Sequence, residues 1–258
     1  MALRPIKRLG QNFLSDPNTA RKIVDSLQAP EDEAVVEIGP GQGALTSLLL
    51  ARWARMTAIE VDKRAVDLLR EKFPSLEVRC IDVLTVDWAA LAAEMGGPLY
   101  VIGNLPYNIT SQILFGLLDA GPNIREAVVM MQLEVARRLV AVPRTKSYGI
   151  LSVIIQHHAR PELLFRVSPQ VFFPKPDVNS AVVRLTLKSE DSPAIDPAFL
   201  RMVVRTAFNQ RRKTLRNSLS RWTKESGIRL PNDWDQCRAE ELTPEAFVEL
   251  AQYLHAHE

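Results

Sequence analysis

Asn104-Leu-Pro-Tyr107 puts a side-chain amide, a backbone carbonyl held by a following proline, and an aromatic ring within one turn of chain. That set suits one kind of chemistry. The exocyclic amine of adenine is a poor nucleophile because its lone pair is delocalised into the ring. If the Asn104 amide oxygen and the Leu105 carbonyl accept its two hydrogens, the nitrogen can pyramidalise and aim its lone pair at an electrophile. Pro106 fixes the backbone that carries the carbonyl, and the ring of Tyr107 can stack on the base. Catalysis is then positional, with acceptors set in advance for the charge that develops on nitrogen. Nothing in the set serves hydride transfer. The same residues also make an ordinary β-turn with a packed tyrosine, so their place in the chain has to decide.

Upstream, Glu37-Ile-Gly39-Pro-Gly41-Gln-Gly43-Ala44 follows an apolar run and opens a helix-spaced one. Glycines there let backbone approach a ligand closely, and the helix start offers free N–H groups. With Ala44 in third place the string also fits G-x-G-x-x-G/A, so spacing alone leaves NAD open. Glu60 ends the next apolar run, about twenty residues beyond Gly39, where an acid would accept both ribose hydroxyls. Asp82 ends the run after that and is placed to meet an adenine amino group. In register at successive strand ends, Gly39, Gly41, Glu60 and Asp82 read as an adenosine-cofactor site.

These residues need strands to carry them. Residues 34–38, 56–60, 77–81, 99–102 and 127–131 read as strands, and residues 44–52, 64–72, 111–118 and 133–140 as the helices between them. Strict alternation implies βαβ units and a parallel sheet covered on both faces. Two late apolar runs, 150–156 and 181–187, lack a crossover helix and are expected to close the sheet as a hairpin, which makes it mixed. Ser15-Asp-Pro17 caps a helix ahead of the first strand. The polar, proline-containing segment 188–197 marks a junction. Beyond it, Phe199, Val203, Phe208, Leu215 and Leu219 are spaced for a small helical domain.

At 258 residues and 47% hydrophobic content the chain can bury a sizeable core. No run is long enough to span a membrane, and the first ten residues lack the apolar stretch of a secretory signal, so a cytoplasmic protein is expected. Cys80 and Cys237 are too few for a disulfide framework or thiolate metal site. The histidines sit adjacent (His157, His158) or near the end (His255, His257), without metal-ligand spacing, and no metal is expected. Net charge is only +2, but it is unevenly spread. From 198 to 224 there are eight Lys or Arg and no acid, and 135–161 is also acid-free. Arg137, Arg138, Arg211, Arg212, Lys213 and Arg216 are therefore the expected contacts for a phosphate backbone.

With these motifs in hand, the chain resembles the S-adenosylmethionine-dependent ribosomal RNA adenine dimethyltransferases, most closely the small-subunit type. The resemblance rests on Gly10-Gln-Asn-Phe-Leu14, residues 37–43, Glu60, Asp82, residues 103–107, Phe172-Phe-Pro-Lys-Pro176 with Val178 and Ser180, and residues 207–215. It implies a class I methyltransferase, an α/β Rossmann-like fold with a mixed seven-stranded sheet, over residues 1–187, and a small all-α RNA-binding domain over 188–258. It further implies that Asn12, Leu14, Gly39, Gly41, Glu60, Asp82 and Asn104 contact S-adenosylmethionine. Asn104, Leu105, Pro106 and Tyr107 would handle the target amine, and Phe172 would stack on the base opposite Tyr107. The implied substrate is a pair of adjacent adenosines in the terminal hairpin loop of small-subunit (16S) ribosomal RNA, met by a monomer within a preribosomal 30S particle. Alternatives are the related large-subunit adenine methyltransferases, an assembly factor with secondary catalysis, and, more distantly, an NAD-dependent oxidoreductase.

Overall fold

Ala34-Val-Val-Glu-Ile38 is buried along its whole length, as a strand covered by helices on both faces must be. It forms β2 of a sheet that the computed structural model describes together with residues 3–188, 195–225, 227–231 and 233–257 as a whole. In chain order, β1 (Phe13–Leu14), α1 (Pro17–Val24), β2 (Ala34–Ile38), α2 (Thr46–Leu50), β3 (Met56–Glu60), α3 (Lys63–Lys72) and β4 (Glu77–Cys80) make the first part. Then come α4 (Trp88–Glu94), β5 (Leu99–Asn104), α5 (Thr110–Asp119), β6 (Ile124–Gln132), α6 (Leu133–Leu139) and α7 (Ile150–His158). The remainder is β7 (Ala159–Val167), β8 (Phe172–Phe173), β9 (Ser180–Leu187), α8 (Pro197–Asn209), α9 (Leu215–Ser218) and α10 (Pro244–Ala256).

The seven-stranded sheet has the order β4-β3-β2-β5-β6-β9-β7. β2 through β6 run parallel, whereas β9 is antiparallel to both β6 and β7. Strands wind outward in opposite directions from the β2–β5 pair. Ligands of open α/β sheets sit at such a switch point, beyond the carboxyl ends of the strands. Here those ends are Ile38-Gly39 and Gly103-Asn104. α1 starts at Pro17 and is capped by Asp16, whose carboxylate accepts the Thr19 N–H at 2.7 Å.

One expected strand is a helix. Residues 150–156 lie in α7, with Ser152, Val153, Ile154 and Ile155 all buried. A short apolar run that is buried on every side has no periodicity to separate helix from strand. The hairpin partner of β9 is instead β7, which contains Pro161 opposite Leu185. Proline cannot donate to a ladder and is tolerated because β7 is the sheet edge.

The chain divides into two compact units, Met1–Ala136 with Ala159–Glu190, and Arg137–His158 with Asp191–Glu258. The expected single boundary after Leu187 differs from this division, because 137–158 groups with the later helices. Within the second unit α7, α8 and α10 pack on one another, and the Tyr148 hydroxyl donates to the Leu242 carbonyl at 2.8 Å. Of the expected junction 188–197, residues 189–194 lie outside the described residues.

Candidate active site

The cavity at the switch point lies within the first unit and is lined by the glycine loop, residues 9–14, the ends of β3 and β4, and Asn104 to Tyr107. Counted out to its open mouth, with the open solvent there included, it encloses about 960 Å³. Gly39 and Gly41 have φ of 65° and 56°, the left-handed region that glycine enters without penalty. At Gly41 an added Cβ would also stand 3.0 Å from the ring of Phe13. A strap formed by residues 9–14 lies over the loop, in which the Gly39 N–H donates to the Ile59 carbonyl and the Gly41 N–H to Glu60.

Glu60 ends β3 with both carboxylate oxygens engaged. It accepts N–H bonds from Val61 and Asp62 at 2.9 Å and from Gly41 at 3.2 Å. Burial raises its carboxyl above the ordinary range, while those N–H bonds pull the other way. Glu37, fully buried at the end of β2, accepts the Thr46 hydroxyl at 2.7 Å. Loss of water pushes its carboxyl up to about 8, with the charge of Glu60 adding to the shift. Asp82 is exposed at the cavity wall, one oxygen accepting the Leu84 N–H at 3.0 Å. Val61 and Ile81 line the same wall at 51% and 39% exposure. These apolar side chains are left open beside the strand-end acids. Both escape a sequence reading centred on polar residues, although each adjoins an acid that such a reading finds.

Gly103 has no room for a side chain, since a Cβ there would lie 2.4 Å from the Ile38 carbonyl oxygen. This close approach brings Asn104 to the cavity. The Asn104 Nδ2 donates to the Asn12 carbonyl at 2.9 Å. A carbonyl can only accept, so the amide is oriented and its Oδ1 is left as the acceptor. Leu105 N–H donates to the Met130 carbonyl at 2.9 Å, and the Pro106 carbonyl accepts the Thr110 hydroxyl at 2.9 Å. None of these bonds uses the Leu105 carbonyl. The Tyr107 hydroxyl lies 2.6 Å from that of Ser180, which is fully buried. Burial raises the phenol further, so Tyr107 is neutral.

Phe172, expected to stack on a base, is buried, and its neighbour Phe173 is exposed. Phe172 is 4% exposed and belongs to the core with Leu14, whereas Phe173 is 63% exposed. β8 pairs antiparallel with β1, Phe173 opposite Phe13 and Phe172 opposite Leu14. Opposed residues share a face. Phe173 therefore shares the face of Phe13, whose ring covers Gly41, and Phe172 shares the core face of Leu14. Phe172 has no free ring face for a base.

The six basic residues all belong to the second unit. Arg137 and Arg138 end α6, and Arg212, Lys213 and Arg216 are exposed around the start of α9. Arg211 differs from the expected phosphate contact. Its Nε donates to Glu240 at 2.7 Å, and its Nη atoms donate to the carbonyls of Lys146 and Thr145 at 2.9 and 3.0 Å. The guanidinium holds a loop in place. Among the described residues no group of three or more His, Cys, Asp or Glu is gathered to hold a metal ion, and no helix is long and apolar enough to cross a membrane.

The sequence matches the family described as ribosomal RNA adenine dimethylase over residues 4–256. The chain belongs to that family. It is 56% identical to a ribosomal RNA small subunit methyltransferase A of Salinibacter ruber, over 98% of this chain and 86% of the relative. A protein of the same description from Pseudomonas aeruginosa is 46% identical, over 97% and 95%. Among solved structures, a dimethyladenosine transferase from Plasmodium falciparum superimposes with a TM-score of 0.79 at 23% identity, over 95% of this chain and 98% of that one, which speaks for the fold. The 23S rRNA methyltransferase ErmE gives 0.68 at 29% identity, over 95% and 100%. The fold is that of a class I methyltransferase, and the ribosomal RNA adenine dimethylase family makes the protein an enzyme that moves methyl groups from a donor to RNA. The oxidoreductase alternative falls with that membership.

Proposed function

We propose that the protein uses S-adenosylmethionine to dimethylate N6 of two adjacent adenosines in the terminal hairpin loop of small-subunit ribosomal RNA. The observation that carries the chemistry is the Asn104 amide at the cavity wall, fixed by the Asn12 carbonyl so that its oxygen is left as the acceptor. Identity to relatives described as small-subunit enzymes, 56%, well above the 29% to ErmE, supports the choice of subunit.

The cavity fits the donor. Glu60 offers a carboxylate acceptor for ribose hydroxyls, Val61 and Ile81 offer exposed apolar side chains to a flat ring, Asp82 adjoins them on the same wall, and Gly39 and Gly41 allow close approach of the backbone. Asn12 and Leu14 lie on the strap above them. When bound, that group supplies an electrophilic methyl carbon on a sulfonium. The remaining work falls to the chain. Asn104 Oδ1 and the Leu105 carbonyl accept the hydrogens of the adenine amine, so its lone pair is localised and aimed. Tyr107 and Phe173 hold the extruded base from two sides, as unpaired loop bases permit. The methylated nitrogen is acidic enough to release its proton to water. After one transfer the secondary amine presents its remaining hydrogen to the same acceptors.

Arg137, Arg138, Arg212, Lys213 and Arg216 serve the flanking phosphates in this reading, and residues 188–258 act as the RNA-binding part. The protein acts as a monomer on a preribosomal particle in the cytoplasm. The test is to incubate it with methyl-labelled S-adenosylmethionine and unmethylated small or large subunits, then map the modified nucleotides. Label on adjacent small-subunit adenosines supports the proposal; label confined to large-subunit RNA overturns it.

A further inference from the structure

The strap over the cavity is held where it meets the catalytic amide and where it meets the ribose side. At one end the Asn12 carbonyl takes the Asn104 Nδ2. At the other, Gln11 spans two partners: its Nε2 donates to Asp62 Oδ2 at 2.9 Å and its Oε1 accepts the Ile6 N–H at 2.8 Å. Asp62 in turn donates its N–H to the Glu60 carboxylate, which also takes the Gly41 N–H. Hydrogen bonds, joined by the peptide between Gln11 and Asn12, run from the Asn104 amide through Asn12, Gln11, Asp62 and Glu60 to the glycine loop.

We propose that Gln11 is a positioning residue that ties occupation of the methyl-donor pocket to the orientation of the Asn104 amide. The inference rests on the donor reading above. Its physical basis is that a donor bonded to Glu60 settles the β3 end, Gln11 passes that settling to the strap, and the strap carries the carbonyl that decides which end of the amide faces the target. Without Gln11 the Asn12 carbonyl is freer to move, and the amide can present its NH2 group, a donor where an acceptor is required. Positional catalysis is lost over shifts of this size.

The bond can be removed without dismantling its surroundings. Asp62 keeps the Arg64 side chain, with bonds at 3.0 and 2.6 Å, and continues to cap α3. The strap keeps its pairing to β8, the buried side chain of Leu14, and the bonds from Ser15 to the Val171 carbonyl. Arg64 also still reaches the Arg4 carbonyl. A purely structural Gln11 would therefore cost some stability and leave the catalytic step alone.

The test compares wild type with Gln11→Leu, nearly equal in volume and unable to form either bond. Gln11→Asn, polar but too short to span, guards against a variant that fails to fold. S-Adenosylmethionine affinity is measured by calorimetry and single-turnover methylation of unmethylated small subunits at saturating donor. The side-chain amide resonance of Asn104 is followed by NMR as donor is added. Both variants are expected to bind donor about tenfold more weakly and, once saturated, to methylate at least about tenfold more slowly, about 1.4 kcal/mol on each count. The donor-induced shift of the Asn104 amide is expected in wild type and lost in the variants. Weaker binding with an unchanged saturated rate would overturn the coupling and leave the strap as a lid only. Unchanged binding and rate would remove Gln11 from the mechanism. Failure of the wild type itself to bind S-adenosylmethionine would instead sink the donor reading.

Discussion

Glu37 gives the most quantitative handle on the site. Its carboxyl is fully buried, accepts one bond from the Thr46 hydroxyl, feels the neighbouring charge of Glu60, and is pushed from its ordinary 4.5 up to about 8. The folded protein therefore keeps a proton up to about pH 8 that the unfolded chain gives up near pH 4.5. Over that interval the folded state binds more protons, so stability falls as pH rises. At about 1.4 kcal/mol per pH unit the full span amounts to at most about 5 kcal/mol, approached only above the higher value. Glu37→Gln keeps the shape and an oxygen for Thr46 while removing the titration. The variant should match wild type near pH 5 and gain on it steadily toward about pH 9, keeping the slope that the raised carboxyls of Glu60 and Glu126 contribute in the same direction. Urea midpoints measured across that range give the comparison, at equal denaturant slope. A cationic ligand beside Glu37 favours its ionised form, so donor affinity should rise with pH in wild type and lose that rise in the variant. Parallel midpoint curves for the two proteins would refute the buried, protonated Glu37.

Other perturbations separate catalysis, packing and RNA contact. In the proposed mechanism Asn104→Ala removes an acceptor whose bond strengthens in the transition state, and kcat should fall about 10²–10³-fold with donor affinity much less affected; steady-state kinetics with calorimetry checks both. Phe172→Ala should cost about 3–5 kcal/mol of stability by opening a core cavity. Phe173→Ala should stay within about 0.5 kcal/mol of wild type and yet lose methylation, a contrast read by thermal unfolding beside activity. Arg212→Ala with Lys213→Ala should leave the unfolding temperature alone and reduce the salt slope of RNA binding by about two. Arg211→Ala should do the reverse, lowering the unfolding temperature by releasing Glu240 and the 145–146 carbonyls while moving the salt slope little.

What the sequence exposes, and what it conceals, follows from how far apart the deciding partners lie. The parallel strands are legible because burial on both faces demands an apolar run whatever surrounds it, and Ala34–Ile38 and Met56–Glu60 stand where that rule puts them. Strand-end acids and glycines are legible for a similar reason, since the switch point fixes where a ligand must sit. α7 is not, because a helix buried on every side has the composition of a buried strand. β7 hides behind Pro161, acceptable only at an edge, and the edge is known only once the strand order is.

Phe172 and Phe173 sharpen the point. A strand of two residues has no alternation to read, so which ring is left exposed depends on the register with Phe13 and Leu14 far earlier in the chain. Arg211 fails in the same way: its charge is plain in the sequence, but the carboxylate that claims it is Glu240, in the acidic stretch that follows the basic one. The Asn104 amide belongs to this class as well. Its residue type suggests the chemistry, yet which of its ends is left as an acceptor is decided by a carbonyl on the N-terminal strap. Local composition can name an acceptor; only tertiary contact can point it.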